Sequence, residues 1–200
     1  MIPMTQQAAI MNLIHKNNGM LTTAKAVSSG ISRSMLAHLV KRGHLLRPAR
    51  GVYTLPEIWE DEFLNLQTRF KRGIFSHETA LFLWNLTDRT PIAYHMTFPT
   101  NYNLANPQKE GIHCAQVKPE RYELGITEIK SPAGNSIRCY SMERTLCDIL
   151  RPQHAADIQV VSEAFKHYTD SNQKNIPLLS AYAARLGVEK RIRTYLEVLL

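Results

Sequence analysis

A chain of 200 residues with 44% apolar residues can bury a core, which excludes global disorder and bounds the molecule to one large domain or two small ones. The formal net charge of +7 points to an anionic partner. No apolar run approaches the ~18 residues of a membrane span, and the three cysteines (Cys114, Cys139, Cys147) match neither a CxxC pair nor a zinc set. They read as small apolar residues, and with no secretory leader the expected compartment is the reducing cytoplasm.

The location of the charge is more informative than its size. Residues 1–56 contain Lys16, Lys25, Arg33, Lys41, Arg42, Arg47 and Arg50 and no acid, so this segment holds the whole net charge of +7. An even scatter of the 17 acids would place about five of them there. Their absence suits a surface that meets phosphates, although a merely solvated basic surface would look the same.

In chain order, Thr5 reads as the cap of a first helix carrying Ala9, Ile10, Leu13 and Ile14, which Asn17, Asn18 and Gly19 stop. Thr22 or Thr23 caps a short helix over 24–29, and Gly30 makes a turn. Ser32 then caps a third helix over 33–42. Two short helices joined by a tight glycine turn form a helix-turn-helix pattern. The third helix buries Met35, Leu36, Leu39 and Val40 and leaves Arg33, Ser34, Ala37, His38 and Lys41 on the opposite stripe. That is the face of a recognition helix, and also the wet face of any amphipathic helix. Strands at 45–47 and 52–55 around the turn Pro48-Ala49-Arg50-Gly51 make a hairpin in the position of a wing, with Arg47 and Arg50 at its tip. The expected DNA contacts are therefore Arg33, Ser34, Ala37, His38 and Lys41 at bases or nearby phosphates and Arg47 and Arg50 at the backbone, with Lys16, Lys25 and Arg42 adding phosphate contacts.

Pro56 marks the expected boundary between a winged helix-turn-helix domain, 1–56, and a second domain, 57–200. Helices are predicted over 57–72 and, capped by Ser76, over 77–85; residues 57–88 also suit a helical linker. Strands at 92–98, 112–117, 127–131 and 136–140 precede helices at 142–150, 155–169, 177–186 and 189–200. The fold class is α+β, the second domain being a small, mostly antiparallel sheet packed on helices.

Catalytic signals are absent: there is no glycine-rich phosphate loop, no GxSxG and no HExxH. The stretch Ser141-Met142-Glu143-Arg144-Thr145-Leu146-Cys147-Asp148 reads as structural, with Ser141 capping and Arg144 pairing Asp148 four residues on. His77, His95, His113, His154 and His167 have no metal-ligand spacing, so neither metal nor cofactor is expected. Tyr94, Tyr102, Tyr122 and Tyr140 read as sheet residues rather than base-stacking platforms.

Three stretches together resemble the antitoxin and transcriptional-regulator component (AbiEi) of AbiE abortive-infection systems. They are the winged helix ending Arg50-Gly51-Val52-Tyr53, the run Gly73-Ile74-Phe75-Ser76-His77-Glu78-Thr79-Ala80-Leu81 followed by Pro91 and Thr97-Phe98-Pro99, and Ser141–Asp148. The resemblance implies a type IV toxin–antitoxin role in phage defence, with the regulator repressing its own operon through promoter inverted repeats. It also implies that the second domain counters a nucleotidyltransferase-like toxin without needing a stable complex. No long heptad is present, so a monomer that pairs on double-stranded DNA is expected. The rival readings are a plain winged-helix repressor with a ligand-binding or dimerisation domain, and a DNA-directed enzyme, which the dispersed acids disfavour.

Overall fold

A computed structural model describes residues 4–17, 19–56, 61–154 and 156–199; the side chains of 4–7 and 154 are outside the description. The chain forms two compact units, residues 1–71 with 130–137, and residues 72–129 with 138–200.

The first unit opens with α1 (Met4–Lys16), which already runs through Thr5, so the helix starts before the expected cap. β1 (Met20–Thr22), α2 (Thr23–Ser28) and α3 (Arg33–Lys41) follow, then the hairpin β2 (Leu46–Ala49) and β3 (Val52–Thr54). Thr22 and Ser32 cap their helices as hydroxyl acceptors, Thr22 from Lys25 N and Ser32 from Met35 N, both at 3.2 Å. Ile10, Ile14, Leu21, Ala26, Ile31, Leu36, Leu39, Leu45, Tyr53 and Leu55 fill one core between these helices and a three-stranded sheet of order β1-β3-β2.

Two details of this sheet differ from the sequence expectation. β1 pairs antiparallel with β3, Leu21 opposite Tyr53. Three residues give too little alternation to read as a strand, and the pairing partner lies 32 positions away in the same register. The hairpin turn is Arg50-Gly51 alone, because Ala49 already pairs with Val52 and Pro48 lies inside β2. β2 is an edge strand with an irregular register between Leu46 and Ala49, where a residue without an N–H is tolerated.

The helix expected over 57–72 is shorter: α4 spans Glu62–Arg69, and Glu57, Ile58, Trp59 and Glu60 lie outside the described residues. Asp61 caps α4 by accepting from Leu64 N at 3.1 Å and is only 2% exposed. Its second oxygen accepts from Ser131 Oγ and from Asn135 Nδ2 at 2.9 Å, so the turn at 131–135 is stitched to the start of α4. One carboxylate thus serves a helix end, the buried Ser131 hydroxyl and the partly buried Asn135 amide. Asp61→Ala should lower stability by about 2–4 kcal/mol, through the lost cap and the stranded donors, read as a fall in the urea midpoint.

The second unit contains β4 (Ile74–Phe75), α5 (His77–Leu83), β5 (His95–Pro99), α6 (Ala105–Lys109), β6 (His113–Val117), α7 (Pro119–Tyr122), β7 (Ile126–Lys130) and β8 (Ser136–Tyr140), apart from Lys130, Ser136 and Ile137, which belong to the first. α8 (Met142–Ile149), a 3-10 turn at Pro152–His154, α9 (Ile158–Asp170), α10 (Ile176–Leu186) and α11 (Glu189–Leu199) complete it; Ala155 and Leu200, expected in helices, lie outside the described residues. The α+β class holds, with a five-stranded sheet of order β6-β5-β4-β8-β7. The sheet is mixed rather than mostly antiparallel: β4–β5 is antiparallel, whereas β5–β6 and β4–β8 are parallel. Residues 100–112, with α6 inside them, are long enough to carry the chain back to the same end of the sheet.

α8 is the axis of this unit. Every residue from Met142 to Ile149 is buried, and α5, α9 and α10 pack around it. Leu81, Leu146, Phe165, Tyr168, Leu179 and Ile192 belong to the same core. No described helix is long and apolar enough to cross a membrane.

Candidate nucleic-acid interface

α3 is anchored by Leu36 and Leu39, both buried, with Met35 and Val40 partly so. On the other side Arg33, Ser34, Ala37 and Lys41 are exposed and His38 is half-buried. Arg42, the C-cap residue, is also exposed. The hydroxyls of Ser32 and Ser34 stand 2.8 Å apart at the start of the helix. A stripe of small and basic side chains on a buried-backed helix permits close approach to base edges, with arginine and lysine able to reach guanine or phosphate.

The wing is held to the helix-turn-helix by its turn. Gly51 has φ +85, a conformation that side chains resist, and its carbonyl accepts from Thr23 N at 2.8 Å, at the first residue of α2. Arg50, at the turn, is exposed. Arg47 is exposed as well, with its guanidinium carbon 5.9 Å from the centre of the Tyr53 ring, which steadies the side chain without consuming its donors.

The ten expected contact residues thus fall into groups. Arg33, Ser34, Ala37, His38 and Lys41 share one face of α3; Arg47 and Arg50 share the wing; Lys16 ends α1, Lys25 lies in α2 and Arg42 caps α3. Nine of the ten are exposed. Two features were missed by sequence reasoning: exposed His44, between α3 and β2, and the Gly51–Thr23 link. His44 lies off the periodic stripe, and the link joins residues 28 positions apart, so neither leaves a local signal.

A family model described as the AbiEi antitoxin transcriptional regulator matches residues 9–56. Over this segment the chain is similar to the AbiEi regulators. The matched residues run from α1 through the wing, the same elements that carry the exposed bases. The match bears out the resemblance drawn from the sequence over residues 9–56, while its other two stretches, 73–99 and 141–148, lie outside the matched segment. Among solved structures, the RV2827C protein from Mycobacterium tuberculosis is similar in fold, with a TM-score of 0.54 at 15% identity, covering 92% of this chain and 72% of that one. No curated protein matches the chain.

In the second unit the Ser141–Asp148 motif is structural. Ser141 Oγ accepts from Arg144 N at 3.3 Å, and Arg144 Nε meets Asp148 Oδ2 at 2.8 Å with both side chains buried. The tyrosines serve packing: Tyr140 donates to Tyr122 O and Tyr122 to Arg72 O, while Tyr102 stacks on Phe98. Cys139 and Cys147 are buried, and burial pushes the Cys147 thiol up to about 12, so neither is a ready nucleophile.

Proposed function

We propose that residues 1–56 bind double-stranded DNA at inverted repeats in the promoter of the chain's own operon, α3 reading bases in the major groove and the wing holding the backbone. We further propose that residues from 57 onward counter a nucleotidyltransferase-like toxin encoded in that operon, in the manner of a type IV antitoxin of the cytoplasm. The observation that carries the first duty is an acid-free segment whose bases are exposed on the recognition face and wing. The likeness to AbiEi regulators over 9–56 supports both duties.

The test is binding of the full chain to its promoter and to a scrambled duplex across a salt series. If four to six of the bases contact phosphates, log K should fall with log salt at a slope of about −4 to −5 per protomer, with tighter binding to the promoter. Equal affinity for both duplexes, or a flat salt response, would remove operator binding.

A second reading, a repressor whose second unit takes a ligand, draws on a cleft of about 780 Å³ lined by His77, Glu78, His95, Gln108, His113 and Cys114.

A further inference from the structure

The parallel strands β5 and β6 stop side by side, Pro99 opposite Val117, and just beyond them Thr100 N donates to Val117 O at 3.0 Å. Their carboxyl ends open on a cleft of about 490 Å³, a volume within the range of small-molecule sites. Crevices at the carboxyl ends of parallel strands are where open α/β sheets seat ligands. Lys118 at the start of α7, Arg121 within it, Arg151 after α8 and Arg185 near the end of α10 line this cleft. Among the described residues there, the acid set against them is Glu120. Beyond residue 56 the chain carries as many acids as bases, so four cations in one cleft are a local concentration of charge.

Most of that charge is unspent. Among the described residues, the side chains of Lys118, Arg121 and Arg185 make no hydrogen bond or ion pair, and all three are exposed. Arg151 is held instead. Its side chain is 12% exposed, with Nη1 3.6 Å from Asp148 Oδ1 and Nη2 donating to Gln153 Oε1 at 3.4 Å. The walls are fixed as well. Buried Arg144 donates from Nη1 to the carbonyls of Arg121 and Leu124, and Gln116 Nε2 donates to Tyr102 O at 2.8 Å. Free cations on fixed walls focus a positive potential in a way that a scatter over open surface does not.

We propose that this cleft binds a phosphorylated small molecule of nucleotide size, its phosphate chain held by Arg121, Arg151 and Arg185 with Lys118. A guanidinium presents a planar fork that meets two phosphate oxygens at once, and a lysine adds a mobile point charge. Four cations against one acid exceed what a single carboxylate ligand would balance and suit a di- or triphosphate. Leu124 supplies apolar surface for a base or similar ring.

A nucleic-acid strand offers the same phosphate chemistry, but a strand needs a groove that runs on, whereas this cleft draws its cations from α7, the end of α8 and α10 around one bounded volume. The site lies wholly in the second unit and owes nothing to the bases of α3 and the wing.

The experiment is calorimetric titration of the full chain with each of the common ribonucleoside triphosphates, with inorganic tripolyphosphate, with an uncharged nucleoside and with a single-stranded oligonucleotide lacking the operator. At least one triphosphate should bind at one equivalent, tripolyphosphate should compete with it, and the nucleoside should not bind. Arg121→Gln and Arg185→Gln change exposed, unbonded side chains, so both should fold as the parent does, and each should weaken triphosphate binding about tenfold. Glu120→Gln should tighten binding about threefold, an effect that no structural role of the residue would produce. The chain carrying Arg33→Ala, Lys41→Ala and Arg50→Ala, altered only in the first unit, should take the triphosphate as the parent does. Failure of the parent to bind any triphosphate would overturn the proposal, as would binding that ignores the Arg121 and Arg185 variants or disappears with the first-unit triple variant. An oligonucleotide held through Arg121 and Arg185 more tightly than any triphosphate would make the cleft a nucleic-acid groove and overturn it too.

Discussion

Arg144→Met should cost the second unit about 3–5 kcal/mol, enough to endanger a fold whose total stability is on the order of 5–15 kcal/mol. Arg144 is fully buried, and so is its partner Asp148. Arg144 Nε donates to Asp148 Oδ2, Nη1 donates to the carbonyls of Arg121 and Leu124, and the guanidinium carbon lies 4.3 Å from the centre of the Tyr140 ring. Methionine fills much of the volume but leaves a buried carboxylate whose nearest remaining cation is Arg151, at 3.6 Å from its other oxygen. It also leaves two carbonyls without their donor. The measurement is urea denaturation, read as a fall in midpoint at unchanged slope; a loss below about 1 kcal/mol would show that the guanidinium is not the keystone of α8.

The same geometry predicts partial rescue. Arg144 Nη2 and Asp148 Oδ1 have no hydrogen-bond partner among the described residues, so the pair is incompletely repaid for its burial. Replacing both, as Arg144→Met with Asp148→Leu, should therefore recover most of the single variant's loss. The backbone is built around the arginine: Gly125, with φ +79, passes so close that a Cβ there would fall 2.8 Å from Arg144 Cβ, and its carbonyl accepts from Ser141 N.

What the sequence revealed followed from local physics. Ser32, Thr22 and Ser141 are caps because a hydroxyl before an apolar-periodic run can accept from the third residue on, and that rule needs no tertiary information. The stripe Arg33, Ser34, Ala37, His38 and Lys41 was legible for the same reason, since a helix of known start fixes its own faces. Ser76 shows where this fails. It occupies the N-cap position of α5, but its hydroxyl is taken by His77 and Thr97 and makes no capping bond. The missed elements depend on distant partners: β1 on β3, β4 on β5 and β8, and Asp61 on Ser131 and Asn135. The parallel pairs were invisible because alternation reports which face a residue takes and not the direction of its neighbour. The contact of His95 with His113 was invisible for the same reason, since ladder register and not sequence spacing sets their distance.

Replacing Arg33, Lys41 and Arg50 together by alanine should weaken promoter binding about a hundredfold near 0.15 M salt, because each phosphate contact contributes about 0.9 to the salt slope and thus about fivefold in affinity there. The slope itself should flatten by about 2.7. All three side chains are exposed, and none takes part in the core of the first unit, so thermal stability should be unchanged. The contrast is His38→Ala on the same face, half-buried beside Lys41, which should relax discrimination at particular base pairs while leaving the slope nearly intact. The triple variant also separates the two proposed duties without cutting the chain, which matters because Ser131 and Asn135 fold against Asp61. Co-expressed with the toxin, it should still restore growth while failing to repress a promoter reporter. A variant that binds DNA as tightly as the parent would take α3 and the wing out of the interface. One that loses both DNA binding and growth rescue would show that neutralisation runs through the winged helix, and the division at residue 57 would fall.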